Sequence, residues 1–583
     1  MYRYLEHINS PSDLKKLQPV ELKILAEEAR DFILDVLSAK PGHLGASLGV
    51  TELSIALHYF YNTPHDKLIW DVGHQAYIHK LLTGRRQDFA SLRQWKGMSG
   101  FPSMQESIYD SFGTGHSSTS ISAITGMALA DQILQKQNKH IAVIGDASIV
   151  SGMAFEGLNH LGDTHLDVLI ILNDNNMGID PSVGALQKHF NQLESEGEVK
   201  FFETLGFKYH GIVDGHNMEE ILDALEHLKS VQQPKLLHIR TIKGKGFAEA
   251  EKNQVLWHSP GKFDKNTGKI IEKGQKISFQ QVVGENLDKV LTQNENSCVI
   301  TPAMPTGSGL VQLMLKYPER VWDVGIAEQH AVTLAAGLAT QGVKAFCVIY
   351  STFLQRAYDQ VIHDVALQNL PVVFLIDRAG IVGTDGATHH GYFDISFMNS
   401  IPNMVVSCPA DRKELEDLIQ ISIHSNSPFC IRYPKGEIIE ENLFHLATEF
   451  GKAKIIRKSE NAQLTLITTG HIAQQISQFI HQIEVNWYHF PFVKPLDNEI
   501  LEQIYAENQS KGMHQLIFTF EDGVENGGFG NKISEWFRNK NFQGKILVHA
   551  YPDRFIEHGS MADLSQFLGI DSLQLLQKIK ENL

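Results

Sequence analysis

Apolar runs that stop abruptly at a polar residue recur along this chain, and the clearest two stand one helix apart. Ile141 to Ile144 is apolar and ends in Gly145-Asp146, and Val168 to Leu172 is apolar and ends in Asn173-Asp174-Asn175. Short apolar runs bounded in this way predict buried strands. The stretch between them, from about Ser151 to Leu161, has the character of a helix. A strand, a helix and a second strand form a βαβ unit, whose crossover makes the strands parallel. Both polar ends then emerge at the carboxyl edge of one sheet, where ligands of open α/β sheets bind.

The same alternation divides the chain into three blocks. The first runs over residues 1–270 and closes with a strand, Lys235 to Thr241, and the loop KGKGF; polar, turn-rich sequence from Gly261 to Gly274 follows. The second, residues 276–440, has strands SCVITP, KAFCVIY, PVVFLID and NMVVSCP and helices EQHAVTLAAGLATQG and FLQRAYDQVIHDVALQN. The third, residues 450–583, starts with LTLITTG and continues through VNWYHF and HQLIFTFED to KILVHAYP. The expected fold class is therefore α/β, with three parallel-sheet domains. Leu186 to Phe201 is polar and charged and is expected to be an exposed loop or lid.

At 583 residues, 43% of them hydrophobic and 20% charged, the chain has material for several large cores. Its net charge of −16 argues against nucleic acid and anionic membranes as partners. Four scattered cysteines without a C-x-x-C fit a reducing compartment. The first residues, MYRYLEHINSPSDLKKL, have neither an apolar leader nor transit-peptide character, and no apolar run reaches membrane-spanning length. A soluble cytoplasmic protein is expected.

Paired across one crossover, Asp146 and Asn175 can offer oxygens to one hard cation. Mg²⁺ takes few protein oxygens and completes its octahedron with phosphate and water. A helix N-cap is the bland alternative for Asp146. GTGHSSTS, Gly113 to Ser120, feeds a helix over Ile121–Leu134, a common setting for anion binding. Glu328 opens an apolar, small-residue helix; it is either a surface carboxylate near a positive helix end or a buried one that needs a specific partner. Among 28 histidines, those in glycine-rich loops suit proton transfer: His43, His74, His116, His258 and His389. Arg356, Arg378, Arg432 and Lys435 lie near strand ends and could clamp a phosphate.

These residues sit in motifs that resemble a known family. The G-D-x…N-D-N stretch is similar to the thiamine-diphosphate motif of transketolase-like enzymes. HLGASLGVTELSIALHY, DKLIWDVGHQAYIHKLLTGR, GHSSTSIS, TPAMPTGSGL, VWDVGIAEQHAVT, YSTFLQRAYDQVIHDVA and DRAGIVGTDGATHHG together resemble the 1-deoxy-D-xylulose-5-phosphate synthases, along the whole chain. The resemblance implies the transketolase-like thiamine-diphosphate-binding fold and a homodimer with its site between the first two domains. The implied reaction is decarboxylative condensation of pyruvate with D-glyceraldehyde 3-phosphate to 1-deoxy-D-xylulose 5-phosphate and CO₂, feeding isoprenoid, thiamine and pyridoxal synthesis. The competing readings are a transketolase, another thiamine-diphosphate enzyme, or an inactive cofactor-binding regulator. Retention of Glu328, His43, Asp385 and His389 argues against the last.

The resemblance also implies roles. Mg²⁺ would be held by Asp146, Asn175 and the carbonyl of Met177. Thiamine diphosphate would meet His74, Gly115, His116, Ser117, Ala147, Ser148, Asn175, Lys243 and Phe247, with Glu328 on its aminopyrimidine and Phe353 stacked on that ring. His43, His258 and His389 would handle protons. Tyr350, Arg356, Arg378, Asp385, His389, Arg432 and Lys435 would hold the acceptor and its phosphate. Three departures stand out. Ala147 replaces the second glycine of G-D-G, which adds a methyl and restricts φ. Lys435 replaces the second arginine of R-Y-P-R-G and gives up bidentate geometry. The Leu186–Phe201 segment is shorter than in the family, which fits either a native shortening or an engineered deletion.

Overall fold

The structure is a computed structural model that describes residues 2–192, 200–271, 274, 276–438, 443–462, 464–511 and 516–582. Chain compactness divides it into two units. One is residues 1–274 with 325–327, and the other is residues 275–324 with 328–583.

The first unit is built on a five-stranded, all-parallel sheet. Its spatial order is Lys67–Trp70, His140–Gly145, Val168–Asp174, Lys235–Arg240, Lys208–Asp214. Alternate residues of these strands enter separate cores. Ile141, Val143, Leu169 and Ile171 pack with the helices Pro19–Ala39 and Thr51–Phe60. Ala142, Ile144, Ile170 and Leu172 pack with Ser120–Ile133 and Gly152–Gly162. A strand covered on both faces has no polar side, so its sequence is continuously apolar.

The second unit holds two sheets. The larger is ordered Phe492–Lys494, Val405–Ser407, Phe429–Pro434, Val373–Ala379, Lys344–Tyr350, Ser297–Thr301, Val321–Asp323. The last sheet is ordered Lys454–Arg457, Val485–His489, Leu464–Thr468, Leu516–Val524, Lys545–Tyr551. Each is parallel except for one antiparallel edge strand, Phe492–Lys494 and Lys454–Arg457 respectively. Phe492–Lys494 follows directly on the third sheet's strand Val485–His489 yet pairs with the middle sheet, so the last two blocks share hydrogen bonding. All four cysteines are buried thiols. Among the described residues, no helix is long and apolar enough to cross a membrane.

Two local expectations are corrected. Part of the segment expected to be a loop is the helix Ala185–Gln192, because Phe190 is drawn into the core beside Phe202 at a ring distance of 6.2 Å; residues 193–199 lie outside the described residues. The single helix expected over FLQRAYDQVIHDVALQN is instead broken into the turns Ser351–Leu354, Gln355–Ala357 and Tyr358–Gln360 and a wide π turn, Val361–Ala366. Such widened turns occur often at functional sites.

Candidate active site

The first unit gathers a diphosphate-type pole at the carboxyl edge of its sheet. His140–Gly145 pairs with Val168–Asp174 with Gly145 opposite Asn173, so Asp146 and Asn175 leave adjacent strands. The main-chain N–H of Asn175 donates to the Asp146 carboxylate, and Ser182 Oγ donates to Asp146 Oδ2 at 3.1 Å. Asn175 Oδ1 accepts the N–H of Met177 at 3.1 Å, which folds the Asn175–Met177 turn back on itself. Asn176 takes a left-handed φ of 62° to make that turn. Next along it, the carbonyl of Gly178 accepts Lys243 Nζ at 2.5 Å, which ties in the KGKGF loop. Asp146 is 1% exposed. Burial, and then the neighbouring Asp174 carboxylate, push its carboxyl up to about 7. Space is open beside Gly145, and a side chain at Gly178 would stand 3.4 Å from the Ala147 methyl.

The oxygen types that Asp146, Asn175 and Met177 offer, a carboxylate, an amide oxygen and a main-chain carbonyl, are hard donors whose chemistry fits Mg²⁺. A buried carboxyl whose hold on its proton is strengthened by burial and by a second carboxylate is suited to a cation placed beside it.

The loop over Gly113–Ser120 is fixed by Asp71, a residue the sequence reasoning missed. Asp71 accepts the main-chain N–H of Ser118 at 2.7 Å and of Ser120 at 3.1 Å, while Ser118 Oγ donates to the Ser148 carbonyl at 2.8 Å. Gly115, His116 and Ser117 are thus held close to the Asp146–Ile149 turn that bears Ala147 and Ser148. Asp71 ends the strand-like run LIWD, so a search for acids at strand ends would have found it.

Three of the selected histidines meet. Ring centroids are 5.2 Å apart for His43 and His258, 5.6 Å for His74 and His258, and 5.7 Å for His43 and His74. Burial, with Lys243 adding to it, lowers His74 to about 3 and His258 well below its ordinary value, so both rings are neutral near pH 7. The Nδ1 atoms of both are buried without a hydrogen-bond partner among the described residues. Orphaned polar atoms that converge in this way fit a polar ligand. Burial brings Lys243 down to about 8 against the pull of Asp146. Phe247 turns its ring into the core, 4.9 Å from Trp257.

The second unit brings together a separate set. Glu328 begins the helix Glu328–Thr340 and is 5% exposed; burial raises its carboxyl while Arg356, 4.0 Å away, opposes this. Tyr350 and Phe353 stack at 5.4 Å, and His389 lies edge-on to Phe353 at 5.7 Å. Arg378 lies over the Tyr350 ring at 3.8 Å and donates to the Gly307 carbonyl at 3.2 Å. It has a left-handed φ of 59° at the strand end, a strained backbone of the kind found at binding sites. Lys435 Nζ is 3.9 Å from Asp385 and 45% of its side chain is exposed.

Arg432 is a correction. Its guanidinium is 2% exposed and is taken up by Asp394 at 2.9 Å and Asp522 at 2.5 Å, so it has no free edge for a substrate phosphate. A strand-end arginine three residues before Lys435 looks the same in sequence whether it faces the loop or the neighbouring domain.

Comparison with known proteins accounts for the whole chain. The family description "1-deoxy-D-xylulose-5-phosphate synthase" matches residues 5–200 and 195–241, two pieces that overlap at 195–200. "Transketolase, pyrimidine binding domain" matches 275–439, and "Transketolase, C-terminal domain" matches 451–575. A 1-deoxy-D-xylulose-5-phosphate synthase of Cytophaga hutchinsonii is 44% identical over 99% of this chain and 98% of its own length. Those of Alkaliphilus oremlandii and Chlorobaculum tepidum are each 43% identical over 100% of this chain and 99% and 98% of their own. With likeness of this extent added to the buried acid, the histidine cluster and the strand-end turns, the chain belongs to the 1-deoxy-D-xylulose-5-phosphate synthase family.

Proposed function

We infer that this chain condenses pyruvate with D-glyceraldehyde 3-phosphate to 1-deoxy-D-xylulose 5-phosphate and CO₂, using thiamine diphosphate and Mg²⁺. The observation that supports the reading best is Asp146, a buried carboxyl beside Asn175 and a main-chain turn into which Lys243 is tied. The cofactor, when bound, supplies a thiazolium carbon that adds to the keto group of pyruvate and takes up the electrons released with CO₂.

The chain's own residues do the rest. Asp146, Asn175 and the Met177 carbonyl hold Mg²⁺, and Lys243 and the Gly115–Ser117 loop neutralise and orient the diphosphate. Glu328 holds a proton against an aminopyrimidine nitrogen, and its raised affinity for that proton suits the role. Phe353 presents a flat face to the pyrimidine ring. His43 packs with the neutral rings of His74 and His258 in a buried wall that can pass protons to and from oxygen atoms. Tyr350, Arg378, Asp385, His389 and Lys435 bind the acceptor, with Lys435 and Arg378 on its phosphate and His389 on its carbonyl oxygen. Arg356 tunes Glu328. The functional molecule is a homodimer; light scattering that gives a single 65.4 kDa particle at micromolar concentration would contradict this.

The experiment is an assay with pyruvate, glyceraldehyde phosphate, thiamine diphosphate and Mg²⁺, with the product identified by mass. Release of CO₂ and a five-carbon deoxyketose phosphate is expected. Two-carbon transfer from a ketose phosphate without CO₂ would indicate transketolase chemistry instead.

A further inference from the structure

The proposed roles leave a buried ion cluster in the second unit unused. Arg432 lies on the strand Phe429–Pro434 of the middle sheet, and its Nη1 donates to Asp522 Oδ1 on the strand Leu516–Val524 of the last sheet. Its Nε donates to Asp394 Oδ1, at the start of the helix Asp394–Asn399. Asp394 and Asp522 are each 1% exposed. Against burial, Arg432 and then His471 hold the Asp522 carboxyl well below the usual carboxylate range. Buried ion groups of this kind add little stability over apolar packing, so a geometric role is the better explanation of their cost.

The cluster ends at the acceptor side chains. Asp394 Oδ2 accepts Ser351 Oγ at 3.0 Å, and Ser351 Oγ also lies 3.0 Å from the Gly391 carbonyl. Ser351 stands between Tyr350 and Phe353, and Gly391 closes the loop that carries Asp385 and His389. A Cβ on Gly391 would meet both Ser351 Cβ and the Arg378 carbonyl at 2.4 Å, so this junction has no slack. The Thr352 hydroxyl donates to the Thr388 carbonyl at 3.0 Å, which joins the same two segments again.

The last domain grips the loop at a second point. The ring of His390, 1% exposed, accepts the Val382 N–H on Nδ1 at 3.0 Å and faces the Glu557 carbonyl with Nε2 at 3.2 Å. That pairing requires the neutral ring with its proton on Nε2. Tyr392 Oη donates to the Arg554 carbonyl at 3.2 Å.

We propose that Asp522 is a positioning residue for the reaction: through Arg432 and Asp394 it fixes the Tyr350–Phe353 turn against the Asp385–His389 loop, so the C-terminal domain sets the geometry that receives the aldehyde acceptor. The inference rests on the acceptor assignment made above. Asp522 touches no reactant in this account. Its loss leaves Arg432 with one carboxylate, and the guanidinium re-seats on Asp394, which loosens the Ser351 contact. Displacements of about 1 Å in such a frame are worth on the order of a hundredfold in rate.

The test uses the full-length enzyme loaded with thiamine diphosphate and Mg²⁺. Asp522→Asn is compared with Lys454→Met, which breaks a buried pair with Glu414 (2.7 Å) at the same domain boundary but has no contact with the acceptor segments. Arg378→Met, at the acceptor site itself, tests the underlying assignment. Asp522→Asn is expected to raise KM for glyceraldehyde 3-phosphate about tenfold while KM for pyruvate stays within about twofold, and Lys454→Met to lower thermal stability with both KM values kept. Ser351→Ala, which cuts the far end of the chain of contacts, is expected to give the same selective rise even if Asp522→Asn does not fold. An unchanged acceptor KM in Asp522→Asn or in Ser351→Ala, or an equal rise in Lys454→Met, would overturn the proposal. If Arg378→Met also leaves the acceptor KM unchanged, the acceptor assignment fails; if Arg378→Met raises it and Asp522→Asn does not, only the positioning role fails.

Discussion

Replacing Asp146 by Asn should stabilise the cofactor-free protein while abolishing its activity. A carboxyl that titrates near 7 in the folded chain and near its ordinary 3.8 when unfolded binds its proton more tightly in the folded state. Stability of the apoprotein therefore falls as pH rises from about 4 to about 7, and above 7 the full cost is present. A rise from 3.8 to about 7 corresponds to about 4 kcal/mol. Asparagine carries no charge to desolvate, but it can leave Ser182 Oγ or the Asn175 N–H facing an amide NH₂ in place of an oxygen, at about 1–2 kcal/mol. The net expectation for Asp146→Asn is about 2–3 kcal/mol of added stability at pH 8, shrinking towards zero or below at pH 4. Urea unfolding of the apoproteins at pH 8 and pH 5 measures this, and titration calorimetry with Mg²⁺ and thiamine diphosphate measures the accompanying loss of binding. An apo variant less stable than the parent at pH 8, or one that keeps its affinity for the metal and cofactor, would refute the reasoning.

Three further outcomes follow from the geometry. Gly307→Ala would set a Cβ 2.1 Å from Tyr350 Oη, and Tyr350 is wedged between Phe353 and Arg378; overpacking of this kind costs about 1–3 kcal/mol, so acceptor KM should rise at least about fivefold, and a wild-type value would show that the Tyr350 stack is slack. Lys435→Arg restores a bidentate donor beside Asp385 and should lower KM for the phosphorylated aldehyde about two- to fivefold; an equal or higher KM removes Lys435 from the phosphate. Burial holds His390 at about 4, so its contribution to stability is complete above its ordinary 6.5 and is lost as pH falls towards 4. About 3 kcal/mol of the stability lost between pH 7 and pH 4 should vanish in His390→Gln, and urea midpoints with the same pH slope in both proteins would contradict this.

Strand ends were the legible part of this chain. Parallel strands buried on both faces must be continuously apolar, so Ile141–Ile144 and Val168–Leu172 announced themselves, and the polar residues that close them had to share one edge. The same logic located Glu328 at a helix start among small apolar residues. What could not be seen was which neighbour each strand-end residue would face. Arg378 and Arg432 both sit at or near strand ends of the middle sheet. One turns over Tyr350 through a left-handed backbone and the other turns into Asp522, a choice made by a strand more than eighty residues later. Asp71 stands at the end of the apolar run LIWD and was legible as a strand-end acid, but its hold on main-chain N–H groups of a distant loop carries no side-chain signature. The Ala185–Gln192 helix escaped because a single i,i+4 pair, Leu186 and Phe190, packs on the core, too short a stripe to stand out in a polar segment. The edge strand Phe492–Lys494 pairs outside its own block, and no local pattern encodes such an exchange.

In the proposed reaction Glu328 delivers and withdraws a proton at the aminopyrimidine. The most direct test of this role is the rate at which the thiazolium C2 proton of the enzyme-bound cofactor exchanges with deuterium, followed by acid quench and NMR in the parent and in Glu328→Gln. Exchange at least about a hundredfold slower in the variant, with Mg²⁺ and thiamine diphosphate still bound, is the predicted result. Exchange at the parent's rate in the loaded variant would contradict it.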